Sequence, residues 1–298
     1  MQGFFFRNLL YVPAYQENFI EKSLKVNPDA YIYDLEDSVP LPFKEKARTI
    51  LKSYINSSRL KGNIFVRINS LEQNMLQEDL EAVAYPDIMG FLLPKVEQAE
   101  DLVTFDEKLT LIEEKRNLSA GYFKVIPLIE TTAAIMNVNQ IANGSVRVIA
   151  MCFGAEDFVN DLLGTKDEVS EVLQFPRAAM VIAAKAAGIL AIDTPYMAVH
   201  DEKGFLEEEM RVSRLGFDGV QLLSPRQIEL ANICFTPSEE EVQKSRKIID
   251  AWERAAKDGT GVSMLDGKMI GPPMRKRAEK ILKKWEMIRT NNIGHDEK

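Results

Sequence analysis

The amino-acid sequence predicts a closed (β/α)8 barrel with a C-terminal helix-hairpin-helix extension. Eight short runs rich in branched and aromatic residues fall before residue 232, the pattern expected of strands buried on both faces. Polar stretches with apolar residues at helical spacing separate them, which is the rhythm of a parallel sheet built from βα units. Charged residues recur at the carboxyl ends of the runs, where a parallel barrel gathers its strand ends on one rim.

In chain order the runs are "NLLYVP", "AYIYDLED", "NIFVRIN", "GFLLPKV", "YFKVIPLIET", "VRVIAMCFGAED", "LAIDTPYM" and "GVQLLSP". Between them, "QAEDLVTFDEKLTLIEEKR" places leucine and phenylalanine at helical spacing, and "FPRAAMVIAAKAAG" is alanine-rich and closes on Gly188 as a C′ cap. An open doubly wound sheet would also alternate strand and helix. No G-x-G-x-x-G follows the first run, however, and no shift in composition divides the chain, so the closed barrel is preferred.

The barrel is assigned to residues 1–232 and the extension to 233–298. In the extension, Ser238 and Glu241 follow Pro237 at capping-box spacing and open an amphipathic helix. "GVSMLDGKMI" then sets apolar residues on both sides of Asp266-Gly267, the signal of a hairpin, and a basic helix "MRKRAEKILKKWEMI" follows. The final "NNIGHDEK" is expected to fray.

The 298 residues are 46% apolar and 28% charged, as in an ordinary globular enzyme. A net charge of −8, with basic residues interspersed among acidic ones, argues against nucleic acid or an anionic membrane as the main partner. Two cysteines without C-x-x-C spacing suggest neither a disulfide framework nor structural zinc, and they fit a reducing, cytoplasmic setting. The apolar amino terminus lacks a basic leader region and is interrupted by Arg7 and Asn8, and no window reaches membrane-spanning length.

The strand ends carry the chemistry. Asp34, Glu36 and Asp37 stand there, with Arg67, Lys95, Glu130, Glu156, Asp157, Asp193 and Ser224. Glu130 is in phase with Leu128 and Ile126, so if those fill the barrel its carboxylate sits over the mouth. A buried anion needs a positive neighbour or becomes protonated. Mg2+ shared by Glu130 and Asp157 would supply one, since two carboxylates plus waters and ligand oxygens suit that ion; a salt bridge to Lys95 or Arg67 is the alternative. With only His200 and His295 present, and neither at a strand end, histidine-assisted nucleophilic catalysis is not supported. Arg67 could grip a substrate carboxylate in a bidentate fork or pair with Glu36. The Gly154-Ala155 turn could present amides to an anion. Lys95 could form a Schiff base, but neighbouring carboxylates would raise its pKa, so an electrostatic role is preferred.

The motifs "DLEDSV", "VRIN", "LPKVEQAEDL", "LIETTAAI", "FGAEDFVNDLLG", "LGFDGVQLLSPRQIE" and "DGKMI" occur in an order that resembles the citrate lyase beta subunit-like branch of the HpcH/HpaI aldolase family. The resemblance implies a TIM-barrel lyase that makes or breaks a carbon–carbon bond with Mg2+, held by residues matching Glu130 and Asp157. It implies a malyl, citramalyl or citryl thioester of coenzyme A or an acyl carrier protein as substrate and a 2-oxo acid as co-product. Cleavage of a free hydroxy-oxo acid, or a non-catalytic assembly role, are the alternatives. Arg67 matches a residue that contacts the oxo-acid carboxylate, assisted by the Gly154 and Ala155 amides. Glu36 and Asp37 match residues that support the metal site. Asp266 matches a proton-transfer residue that relatives supply from a neighbouring subunit, so a homotrimer or hexamer is expected. Ala14 and Ser224 replace a glycine and a histidine of the family pattern, and both bear on the thioester carrier more than on the metal site.

Overall fold

The computed structural model describes residues 4–164, 171–257 and 263–296. Each predicted run forms a strand: β1 (Asn8–Pro13), β2 (Ala30–Asp34), β3 (Ile64–Arg67), β4 (Gly90–Leu93), β5 (Lys124–Ile129), β6 (Ala150–Phe153), β7 (Leu190–Asp193) and β8 (Gly219–Leu222). They pair in sequence order, and β8 returns to β1, closing the barrel. All eight pairings are parallel, for example Leu9 beside Ala30 and Asp34 beside Arg67.

Alternation along each strand decides what fills the interior. Leu9, Ala30, Ile32, Phe65, Leu92, Ile126, Leu128, Cys152 and Ile192 form one buried cluster inside the barrel, with Phe6 packed against its lower end. The other face of each strand packs beneath the helices, where Phe91 meets Phe105 and Phe123 edge to face. Fully burying a large apolar side chain is worth roughly 1.5–3 kcal/mol, so these two layers carry most of the stabilisation. The apolar layers stop at the carboxyl ends, where Tyr11, Asp34, Arg67 and Gln221 take the inward positions. That switch from hydrocarbon to polar groups creates the floor of a cleft.

The helices follow the sequence signals. Gly188 adopts φ +75° and ends the helix Gln174–Ala187, a left-handed conformation that costs glycine little.

The chain divides into two compact units, residues 1–234 and 235–298. In the second unit, Ser238 and Glu241 exchange hydrogen bonds as a capping box at the start of the helix Glu239–Lys257. β9 (Ser263–Leu265) and β10 (Lys268–Ile270) form the antiparallel hairpin, joined by Asp266 and Gly267, both at positive φ. That pair of angles suits a two-residue primed turn. Gly261 and Val262, which began the predicted hairpin run, lie outside the described residues. Ile248, Ala251, Ile270 and Ala278 form this unit's own core. The backbone stays helical to Asp296, beyond the point where fraying was expected. Among the described residues, no helix is long and apolar enough to cross a membrane.

Candidate active site

A cavity of about 280 Å3 opens over the carboxyl ends of the strands. Its walls include Tyr11, Asp37, Arg67, Glu130, Gly154, Asp157 and Gln221. Glu130 and Asp157 therefore border the same space, although neither lies within a strand. Glu130 follows β5 directly, whereas Asp157 sits in the first turn of the helix Ala155–Leu162.

Glu130 is 3% exposed. Its Oε1 accepts a hydrogen bond from the Lys95 backbone N–H at 2.7 Å. Lys95 reaches that position with φ +55°, a conformation uncommon for a residue with a Cβ. Its side chain is exposed and does not line the cavity, so the group it turns towards Glu130 is its amide. Glycine at 154 is required on the opposite side, because a Cβ there would lie 2.7 Å from the Glu130 Cβ and 3.0 Å from its Oε2.

Burial pushes the Glu130 carboxyl up to about 8; Asp157 and Glu36 add to the rise, while the Lys95 amide and Arg67 oppose it. Glu36, also 3% exposed, is raised to about 7 by burial, against Arg67 and with the charges of Asp37 and Asp34. Partial burial and Asp37 lift Asp157 in the same direction. Glu130 and Asp157 line the cleft and Glu36 lies close enough to act on Glu130, and burial leaves their ionised forms under-compensated. The donor chemistry fits a hard divalent cation, for which carboxylate oxygens and waters are the usual ligands. Among the described residues no group of three or more His, Cys, Asp or Glu side chains is placed to hold a metal ion.

Arg67 is oriented by Asp34, which stands at the end of the neighbouring strand. Its Nε and Nη2 donate to the two Asp34 oxygens, each at 2.7 Å. Nη1 is turned towards Glu36 at 3.4 Å and Asp37 at 3.5 Å. The planar fork expected for a substrate or for Glu36 is thus occupied along one edge by Asp34, its register partner on β2. Burial would raise the Asp34 carboxyl, but Arg67 and the Ser38 and Glu36 backbone groups hold it below its usual range. The guanidinium lies 4.8 Å from the Tyr11 ring centre, a cation–π distance.

The acidic turn after β2 is braced from behind. Lys44 donates to the Leu35 and Glu36 carbonyls at 2.8 and 2.7 Å and to Asn69 Oδ1 at 2.8 Å. Asn69 in turn donates to buried Asp79, which also accepts from Arg48. This chain fixes Glu36 and Asp37 at the cleft edge.

Two amides expected to face an anion are engaged elsewhere. Gly154 N–H donates to Ile129 O at 2.9 Å, and Ala155 N–H donates to Thr194 Oγ1 at 3.2 Å. Asp193, grouped with the rim charges in the sequence, points outward and pairs with Arg177 at 2.7 Å. Ser224 accepts from the Arg226 backbone N–H at 3.4 Å and helps shape the loop after β8. Asp266 belongs to the second compact unit, at the tip of its hairpin.

The HpcH/HpaI aldolase/citrate lyase model matches residues 7–225, nearly all of the barrel. The chain belongs to this family. It is 36% identical to citrate lyase subunit beta of Haemophilus influenzae over 93% of this chain and 96% of that protein. It is 32% identical to a (3S)-malyl-CoA thioesterase of Cereibacter sphaeroides, with 95% of each chain covered. Among solved structures, protein CitE from Mycobacterium tuberculosis, in complex with magnesium, acetoacetate and coenzyme A, is similar with a TM-score of 0.77. That likeness carries 26% identity and covers 95% of this chain and 99% of that one. Family membership and fold make the chain an enzyme of the aldolase/citrate lyase type.

Proposed function

We propose that this protein is a Mg2+-dependent carbon–carbon lyase that cleaves or forms a 3-hydroxyacyl thioester of the malyl, citramalyl or citryl kind, with a 2-oxo acid as co-product. The carrying observation is the convergence of Glu130 and Asp157 on one cavity, beside an oriented arginine. The thioester is supported by the names of the relatives and by coenzyme A in the similar solved structure.

Glu130 and Asp157 would hold the ion, with Glu36 and Asp37 accepting hydrogen bonds from its waters. When bound, Mg2+ supplies a Lewis acid and a template for oxygen donors. Arg67, locked by Asp34, offers its Nη1 edge to the oxo-acid carboxylate, while the Gly154-Ala155 turn borders that group. Lys95 positions Glu130 through its amide and adds positive potential near the mouth. In cleavage the hydroxyl proton leaves to a base, the carbon–carbon bond breaks, and its electron pair becomes the acyl-thioester enolate. Asp266 delivers the proton that quenches the enolate at carbon. In synthesis the same steps run backwards.

Buried, free Cys152 and Cys234 accord with a reducing cytoplasmic setting. The protein is proposed to act as a homotrimer or hexamer, on coenzyme A or acyl carrier protein thioesters.

The test is incubation with Mg2+ and malyl, citramalyl and citryl thioesters, followed by assay of released oxo acid. Calorimetry should show Mg2+-dependent binding of pyruvate, glyoxylate or oxaloacetate that Glu130→Ala and Asp157→Ala each weaken by at least about tenfold, the cost of losing one ligand or its support. Binding unchanged from the wild type in both variants removes the metal assignment.

A further inference from the structure

We propose that Tyr11 and Gln221 form a specificity device on the cleft floor that selects a hydroxyl over a carbonyl at the reacting carbon of the ligand. Gln221 extends from β8 into the barrel mouth and is 1% exposed. Its Nε2 donates twice, to Phe153 O at 2.8 Å and Asp193 O at 3.0 Å, capping the ends of β6 and β7. Both amide hydrogens are thereby consumed, and the amide can be placed only one way round. Oε1 must face Tyr11, whose hydroxyl donates to it at 2.9 Å.

A phenol has one proton. With that proton committed to Gln221, the Tyr11 oxygen can offer the cavity acceptor lone pairs and nothing else. A ligand hydroxyl can donate to it, whereas a carbonyl or carboxylate oxygen meets another acceptor. Burial raises the Tyr11 phenol well above its usual range, so the proton stays in place. The ring serves separately, as the face beneath the Arg67 guanidinium.

The inference rests on the lyase reading. The atom concerned is the oxygen that is a hydroxyl in the thioester and a carbonyl in the released oxo acid. An acceptor at this point holds the hydroxy compound and lets the oxo acid go, so it selects the thioester and eases product release without itself lowering the barrier to cleavage. It is a discrimination of the kind in which an unpaired buried polar group penalises the wrong ligand.

Lactate and pyruvate differ at this one oxygen and serve as probes, measured by calorimetry with saturating Mg2+. Tyr11→Phe keeps the ring under Arg67 and removes only the hydroxyl. It should weaken lactate about tenfold, the scale of one lost hydrogen bond, and leave pyruvate bound as tightly as before or more tightly. Gln221→Leu frees the phenolic proton to turn towards the cavity and should shift the ratio of the two affinities further towards pyruvate than Tyr11→Phe does. Equal loss for both acids in Tyr11→Phe would show that the residue merely carries Arg67 and overturns the device, as would no change for either. A wild-type protein that binds neither acid, with Mg2+ and an intact fold, defeats the lyase reading first and this inference with it.

Discussion

At the residue scale, the site depends on an atom that is absent. Gly154 has φ −106° and ψ 79°, angles open to alanine, so its importance does not come from backbone conformation. It comes from contact, since the missing Cβ would press on Glu130 Cβ at 2.7 Å. Both groups sit next to backbone, one held by the sheet ladder through Gly154 N–H and the other by the Lys95 amide, so neither can swing aside cheaply. Gly154→Ala should therefore cost about 1–3 kcal/mol of stability, the usual scale of overpacking. It should also weaken Mg2+-dependent oxo-acid binding by about tenfold or more, since displacing the proposed metal ligand Glu130 even slightly is expensive. Thermal melting and calorimetry on the same preparation check both effects. Retained affinity in a measurably destabilised variant would mean that Glu130 tolerates displacement and that its position is not the critical quantity.

At the element scale, the junction of β7 with its two flanking helices stores a different kind of tension. Arg177, from the helix Gln174–Ala187, spends Nε and Nη2 on Asp193 and Nη1 on Glu208. None of these bonds reaches Glu209 on the helix Glu202–Leu215, which is 1% exposed and whose Oε2 finds no hydrogen-bond partner. Burial, then Asp193, raise its carboxyl well above the ordinary range, with Arg177 opposing. The folded state consequently keeps a proton that the unfolded chain releases above its own carboxylate pKa. Stability is then greatest below that pKa and falls as pH rises towards the folded value. Glu209→Gln has no proton to lose, so its melting temperature should exceed that of the wild type at pH 8 and approach it near pH 5, read by scanning calorimetry across that range. A constant difference between the two proteins would assign the effect to packing instead. This junction also marks what was legible in the sequence. The strands were, because short branched and aromatic runs have few other ways to be buried, and so was the Ser238–Glu241 cap. Asp193 stands at the end of its strand as the sequence indicates, but period-two alternation sets its side chain opposite to inward Ile192, away from the cleft. The same alternation puts Asp34 in line with Ile32 and beside Arg67, so their pairing was available from the pattern. The Lys95 amide and the Tyr11–Gln221 contact were not, since backbone angle and cross-barrel proximity leave no trace in local spacing.

At the scale of the whole molecule, the proposed chemistry draws on two compact units. The barrel carries the carboxylates, Arg67 and the Tyr11–Gln221 floor, while Asp266 rides on a hairpin with a core of its own. A proton donor on a separately folded element can be provided by a neighbouring copy as readily as by its own chain, and closed symmetric assemblies make such exchange regular. Two single variants resolve the arrangement. Glu130→Ala should lose oxo-acid binding, whereas Asp266→Asn should keep binding and lose turnover, because the proposed mechanism has the first hold the ion that binds the acid and the second act on the enolate carbon. Each alone should be nearly inactive. When the two proteins are unfolded together in equal amounts and refolded, random assembly pairs an intact cleft with an intact neighbouring hairpin in about a quarter of sites, so about a quarter of wild-type turnover should return if the aspartate is shared between copies. Without sharing, every site keeps one defect and no turnover returns. Co-refolding with excess inactive Glu130→Ala protein gives the complementary check, raising the activity per Asp266→Asn chain as each is surrounded by intact hairpins.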